Sequence, residues 1–299
     1  MSEKLYGVVP PLLTIFAENG EVDYRGTAKL AKFLSNHVHA LFVCGTYGNG
    51  PLMSVEERIR VLEAVESEVR DRVPLVVHVG TTSTPDAIKL ARHAEEVGAI
   101  AVAAVPPYYF HHPDERVVRH FSKIVENVSI PVYVYNNPKT VGYPVTPALL
   151  KKLEAAGVKG VKDSSFDILM LEEYKLATSD DFDVVLGTEA LFLPAYILGV
   201  RAFVPGLANA FPELIRELFD SCISGDLKNA KHLHDKVYKL RKIAYKAGAS
   251  NVGVLALLKM RGFSKGYPRQ PFGMVEDEVY SVMKAEVSKV FGGNIPPIG

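Results

Sequence analysis

The chain is poor in the features that would make it a secreted, membrane-bound or nucleic-acid-binding protein. Only two cysteines occur in 299 residues, Cys44 and Cys222, with no paired spacing. That argues against a disulfide framework and for a reducing, cytoplasmic setting. Net charge is absent, with 34 basic residues against 34 acidic ones, so no overall field draws the molecule to nucleic acid or to an anionic membrane surface. The longest apolar stretch, Ala99 to Pro107, is far too short to span a bilayer. Met1-Ser2-Glu3-Lys4-Leu5 has no apolar signal region. Neither a Gly-x-Ser-x-Gly nucleophile motif nor a P-loop is present, and His111-His112 is an adjacent pair rather than the i, i+4 spacing of helical zinc ligands. No metal or cofactor is called for.

What is present is regular alternation. Short Val- and Ala-rich runs, apolar on successive residues, predict parallel strands covered on both faces. They are Val8–Ile15, Ala40–Cys44, Leu75–Val79, Ala99–Val105, Val132–Tyr135, Val158–Lys162, Val184–Leu186 and Ala202–Val204. Each is followed by an amphipathic segment with helix-start chemistry, such as the Ser54/Glu57 capping box before Val55–Val69 and the proline opening Pro85–Val97. Eight such pairs within about 225 residues predict a (β/α)8 TIM barrel. A doubly wound sheet is the alternative, because local periodicity does not show closure. Residues 1–225 would form the barrel, and residues 226–299 a C-terminal helical extension packed on it. There Leu227, Ala230, Leu233, Val237, Leu240 and Ala244 make an apolar stripe, and the accompanying lysines and Arg241 read as a solvated face.

Lys162 stands at the end of the sixth predicted strand, in Gly160-Val161-Lys162-Asp163. An ammonium is costly to bury, so the position calls for an ion pair or for a nucleophilic amine of lowered pKa. In a barrel the active site gathers where strands end. Those ends carry Gly45-Thr46-Tyr47-Gly48, Pro107-Tyr108-Tyr109, Tyr135-Asn136-Asn137-Pro138, Lys162 with Ser164, Gly187-Thr188-Glu189, and Pro205-Gly206-Leu207-Ala208-Asn209. One amine, several phenols and hydroxyls, and glycine-rich turns suit Schiff-base catalysis. A neutral amine attacks a ketone, a hydroxyl moves protons, and backbone N–H groups hold a carboxylate.

These four pieces, Gly45-Thr46-Tyr47-Gly48, Pro107-Tyr108-Tyr109, Tyr135-Asn136-Asn137-Pro138 and Gly160-Val161-Lys162-Asp163, resemble the dihydrodipicolinate synthase/N-acetylneuraminate lyase family of class I, pyruvate-dependent aldolases. The resemblance runs from Gly7 to the C-terminal helices. It implies Lys162 as the Schiff-base lysine, Tyr135 as proton shuttle, and Thr46 as the link from Tyr135 to Tyr109, which would reach into a neighbouring subunit's site in a homotetramer. It implies that the Thr46–Tyr47 turn holds the pyruvate carboxylate, that Gly187 and the Val204 backbone line the pocket, and that Ser164 faces the second substrate. Two positions depart from the synthase pattern. Thr140 stands where synthases usually carry an arginine for the second substrate's carboxylate, and Tyr47 replaces a threonine and adds bulk at the pocket mouth. Gly45 to Leu52 looks closest to archaeal 2-keto-3-deoxygluconate aldolases. The reading that follows is cleavage of a 2-keto-3-deoxy sugar acid to pyruvate and an aldehyde. A dihydrodipicolinate synthase and a non-catalytic keto-acid-binding barrel are the alternatives.

Overall fold

The computed structural model describes residues 4–263 and 265–298. Eight parallel strands, β1 (Gly7–Val8), β2 (Leu41–Val43), β3 (Leu75–His78), β4 (Ala101–Ala104), β5 (Val132–Asn136), β6 (Gly160–Asp163), β7 (Asp183–Leu186) and β8 (Ala202–Phe203), lie in the order β1-β8-β7-β6-β5-β4-β3-β2. The two ends of that sheet meet. Phe42 N–H donates to Pro10 O at 2.9 Å, Leu12 N–H donates to Phe42 O at 2.9 Å, and Pro11 and Phe42 form a parallel bridge. The sheet is therefore closed, a (β/α)8 barrel, and the doubly wound alternative falls.

The helices α1 (Tyr24–Ser35), α2 (Val55–Val69), α3 (Thr84–Glu96) and α4 (Asp114–Val125) follow the first four strands. The Ser54/Glu57 capping box forms as predicted, both bonds present. Two details differ from the sequence reading. The first strand, expected over Val8–Ile15, keeps ladder pairing only at Gly7–Val8. Pro10 and Pro11 have no N–H to give to a ladder, so the chain continues extended with single bridges. After β5 comes an extra one-turn helix, α5 (Pro138–Val141). It opens on a proline and stops at Gly142, whose φ of 93° suits glycine. Then follow α6 (Pro147–Ala155), α7 (Ile168–Ala177), α8 (Phe192–Ile197) and α9 (Pro212–Ile223).

Beyond the barrel lie α10 (Leu227–Ala244), α11 (Ser250–Met260) and α12 (Asp277–Val290). On α10 the stripe residues Ala230, Leu233, Val237, Leu240 and Ala244 are buried, whereas Leu227, read as part of the stripe, is exposed at the helix start, as are Lys228, Lys231, Lys239 and Lys242. Arg241 departs from the solvated face it was read with. Its Nε lies 3.2 Å from the buried Glu189 carboxylate at the end of β7. Asn209, fully buried, ties the loop after β8 to the chain beyond β1. It accepts from Leu13 N–H at 2.9 Å and donates to Pro11 O and Gly206 O, each at 3.0 Å. Among the described residues no helix is long and apolar enough to cross a membrane.

Candidate active site

Lys162 is 4 % exposed. Its neighbour in register on β5 is Tyr135, and its ammonium sits 3.7 Å from the Tyr135 ring centroid and 3.9 Å from that of Phe42. Strands β2 and β6 are not neighbours in the sheet, so the Phe42–Lys162 contact crosses the barrel interior. Gly45 makes room for it, because a Cβ there would stand 2.6 Å from the Phe42 ring. No carboxylate pairs with the amine among the described residues. The adjacent Asp163 is turned to other partners, accepting from Asn136 Nδ2 at 2.7 Å and from Ser165 Oγ at 2.6 Å. Of the two explanations for a lysine here, the ion pair is the one the geometry does not supply. Burial lowers the Lys162 pKa, and its interaction with Tyr135 works the other way.

The Tyr135 hydroxyl collects the remaining polar groups. Thr46 Oγ1 and Ser164 Oγ are each 3.5 Å away, and Asn137 Nδ2 donates at 3.1 Å. Burial pushes this phenol up, but the Lys162 charge and the bonds from Ser164 and Thr46 outweigh it and leave the pKa below its ordinary value. The rim is built from backbone. Gly187 N–H donates to Asp163 O at 2.6 Å, Ser164 Oγ donates to Gly187 O at 3.3 Å, and a Cβ at Gly187 would collide with Ser164 Oγ at 2.0 Å. Val204 N–H donates to Leu186 O at 2.7 Å. The N–H groups of Thr46 and Tyr47 meet no acceptor among the described residues, which leaves them available to an anion.

Three sequence candidates stand elsewhere. The Tyr109 side chain is 86 % exposed at a φ of 78° and meets Phe110 edge-on, ring centroids 5.0 Å apart. Thr140, exposed on α5, returns its hydroxyl to Asn137 O at 3.2 Å. Tyr47 packs its ring against Gly206, where a Cβ would fall 2.2 Å from Cζ. Its phenol is pushed up by burial and by the neighbouring Glu189. Tyr47 thus joins the loop after β2 to the loop after β8.

Phe42 and Asn137 went unassigned from the sequence. Phe42 looks like any core residue in Leu41-Phe42-Val43. Asn137 lay inside a quoted motif, but only the fold shows that its amide reaches the phenol. His78, at the end of β3, is buried and neutral, its pKa pulled well down by burial and by Arg58 and Lys162. Its ring meets Tyr135 edge-on at 5.9 Å. Among the described residues no cluster of three or more His, Cys, Asp or Glu side chains is arranged to hold a metal.

A closed (β/α)8 barrel with a buried lysine and a hydrogen-bonded phenol at the carboxyl ends of its strands is an enzyme scaffold, here of the class I, pyruvate-dependent lyases. Residues 4–290 match the dihydrodipicolinate synthetase family, and the chain belongs to it. It is 33% identical over 273 residues to the 4-hydroxy-tetrahydrodipicolinate synthase of Archaeoglobus fulgidus, covering 91% of this chain and 93% of that one. Among solved structures it is similar to the KD(P)G aldolase of T. tenax, with 29% identity, 96% and 99% of the two chains covered and a TM-score of 0.88. It is also similar to the dihydrodipicolinate synthase of Aquifex aeolicus, with 27% identity, 97% and 99% covered and a TM-score of 0.90.

Proposed function

We propose that this chain is a Schiff-base aldolase that reversibly cleaves a 2-keto-3-deoxy sugar acid to pyruvate and an aldehyde. The observation that carries the chemistry is the buried Lys162 amine, held against the Tyr135 ring with no carboxylate partner among the described residues. In its neutral form the amine attacks the C2 ketone, and loss of water gives an iminium. Tyr135, having given its phenol proton to the departing water, takes the proton of the C4 hydroxyl as the C3–C4 bond breaks, and the aldehyde leaves. The C3–C4 electron pair becomes the enamine, which is protonated at C3 and hydrolysed to free pyruvate and Lys162. Thr46, Ser164 and Asn137 hold the phenol in place. The N–H groups of Thr46 and Tyr47 would receive the substrate carboxylate, and Gly187 and Val204 would line the same pocket. Tyr109, projecting into solvent in the single chain, would complete a neighbouring site in a homotetramer.

The sugar-acid specificity rests on Thr140 at the place where an arginine would bind a second carboxylate, with its hydroxyl engaged by its own turn. The synthase reading remains in play because the Archaeoglobus relative carries that name. Borohydride reduction with pyruvate should attach the pyruvate carbons to Lys162, detectable by peptide mass. An untouched Lys162 would sink both enzymatic readings. With trapping secured, turnover of 2-keto-3-deoxygluconate against condensation with aspartate semialdehyde separates the two. Trapping without turnover of either would leave a keto-acid-binding barrel.

A further inference from the structure

A second, cationic cleft lies beside the loops that follow β3 and β4, between the start of α3 and the outer face of α4, and Lys162 is not part of its lining. Arg116, Arg119, His120 and Lys123 fall at i, i+3, i+4 and i+7, so they share the α4 face that borders it. Thr82, Thr84 in the first turn of α3 and His112 contribute the rest of the polar wall, Pro107 completes the lining, and the volume is about 450 Å³. Like charges at this spacing repel along a helix. Lys123 keeps Glu126 as a partner, whereas Arg116 and Arg119 have no carboxylate within 4.0 Å among the described residues.

His120 is the independent sign of a ligand. The residue is 4 % exposed, and Nδ1 is bound to Thr84 Oγ1 at 2.8 Å. Its Nε2 is buried without a hydrogen-bond partner among the described residues, a costly arrangement for a polar atom. When the Thr84 hydroxyl donates to Nδ1, the ring hydrogen lies on Nε2, a donor with nothing to receive it. Burial keeps this histidine neutral, its pKa down to about 4. Two guanidinium groups without a carboxylate partner among the described residues and, in that tautomer, the unpartnered imidazole N–H match the oxygens of a phosphate.

From this geometry we propose that the α3–α4 cleft is a binding site for a phosphate monoester, separate from the Lys162 centre. The balanced charge of the whole chain, 34 against 34, favours a small phosphorylated metabolite over a nucleic-acid backbone, which needs an extended basic surface. The site does not depend on the chemistry assigned to Lys162, and its test reads binding rather than turnover.

The test is calorimetric titration of the full chain with inorganic phosphate, glycerol 3-phosphate and sulfate in turn. Saturable binding at one site per chain is expected, weakened at least tenfold in Arg116→Gln/Arg119→Gln. Both arginines are exposed, so the double variant should keep the wild-type thermal midpoint. Tighter binding of glycerol 3-phosphate than of phosphate identifies an organic ester as the ligand. Equal binding of the two identifies free phosphate and overturns the ester. Binding that does not saturate, or that is unchanged in the double variant, overturns the site.

Discussion

Lys162 and Tyr135 are register partners on adjacent parallel strands, and the amine lies 3.7 Å from the phenol's ring centroid. The contact is built into the backbone: side chains in register on neighbouring strands point to the same face, so the pairing of β5 with β6 places them without help from any loop. Lys162 weakens the phenol's hold on its proton and Tyr135 supports the charged amine, so each tunes the other.

That coupling separates two steps experimentally. Tyr135→Phe keeps the ring beneath the amine and removes only the hydroxyl. Turnover of the sugar acid should fall about 10²- to 10⁴-fold, the usual worth of a positioned acid–base group. Borohydride trapping of pyruvate on Lys162 should survive, because the nucleophile is intact. Wild-type turnover in this variant would remove Tyr135 from proton transfer.

Burial of the amine also predicts a pH-dependent stability. The Lys162 pKa is lowered in the folded chain, whereas the unfolded chain keeps the ordinary value near about 10.4. Between the two, the unfolded state binds more protons, so this residue's contribution rises with pH. Lys162→Met removes a charge penalty at little change in volume. It should therefore raise the thermal midpoint at pH 7, with the advantage narrowing towards pH 10. A midpoint lower than wild type at every pH would show instead that the amine is structurally paired.

Legibility in the sequence followed the range of the interaction. Strands such as Leu75–His78 and Ala101–Ala104 were readable because a strand covered on both faces is apolar throughout, and Lys162 was readable as a charge breaking that rule. The first strand was over-extended, because prolines 10 and 11 are extended without being ladder-paired. The α5 turn of four residues is too short to show a helical period. Phe42 beneath the amine and Arg241 on Glu189 depend on strands and helices far apart in the chain. Neither residue differs by type from a core phenylalanine or a solvated arginine.

Asn209 offers a test of the join between the ends of β8 and β1. Its amide serves Leu13, Pro11 and Gly206 from inside that join. Asn209→Ala would leave the Leu13 N–H and the Pro11 carbonyl buried and unpaired, and the cost should be about 2–4 kcal/mol. Urea denaturation measures it. A loss under about 0.5 kcal/mol, the range of an ordinary surface change, would mean that the join is held by its backbone bonds alone.

Arg241 ties the C-terminal helices to the barrel through one buried carboxylate. Burial raises the Glu189 pKa and Arg241 opposes that rise. Arg241→Met strands the carboxylate, so at pH 8 the variant should lose about 3 kcal/mol. The sign of its pH dependence follows. Without the guanidinium, the folded-state pKa of Glu189 stands further above the unfolded value, and the folded chain holds the extra proton in between. Stability then falls as pH rises through that window and returns as pH is lowered through it. Denaturation midpoints at pH 5 and pH 8 should therefore diverge more in Arg241→Met than in wild type. Adding Glu189→Gln to the variant should restore most of the loss at pH 8. An equal deficit at both pH values, unrelieved by the second substitution, would show that Arg241 acts through packing on Phe166 and Tyr245, whose rings lie 5.1 and 4.2 Å from its guanidinium.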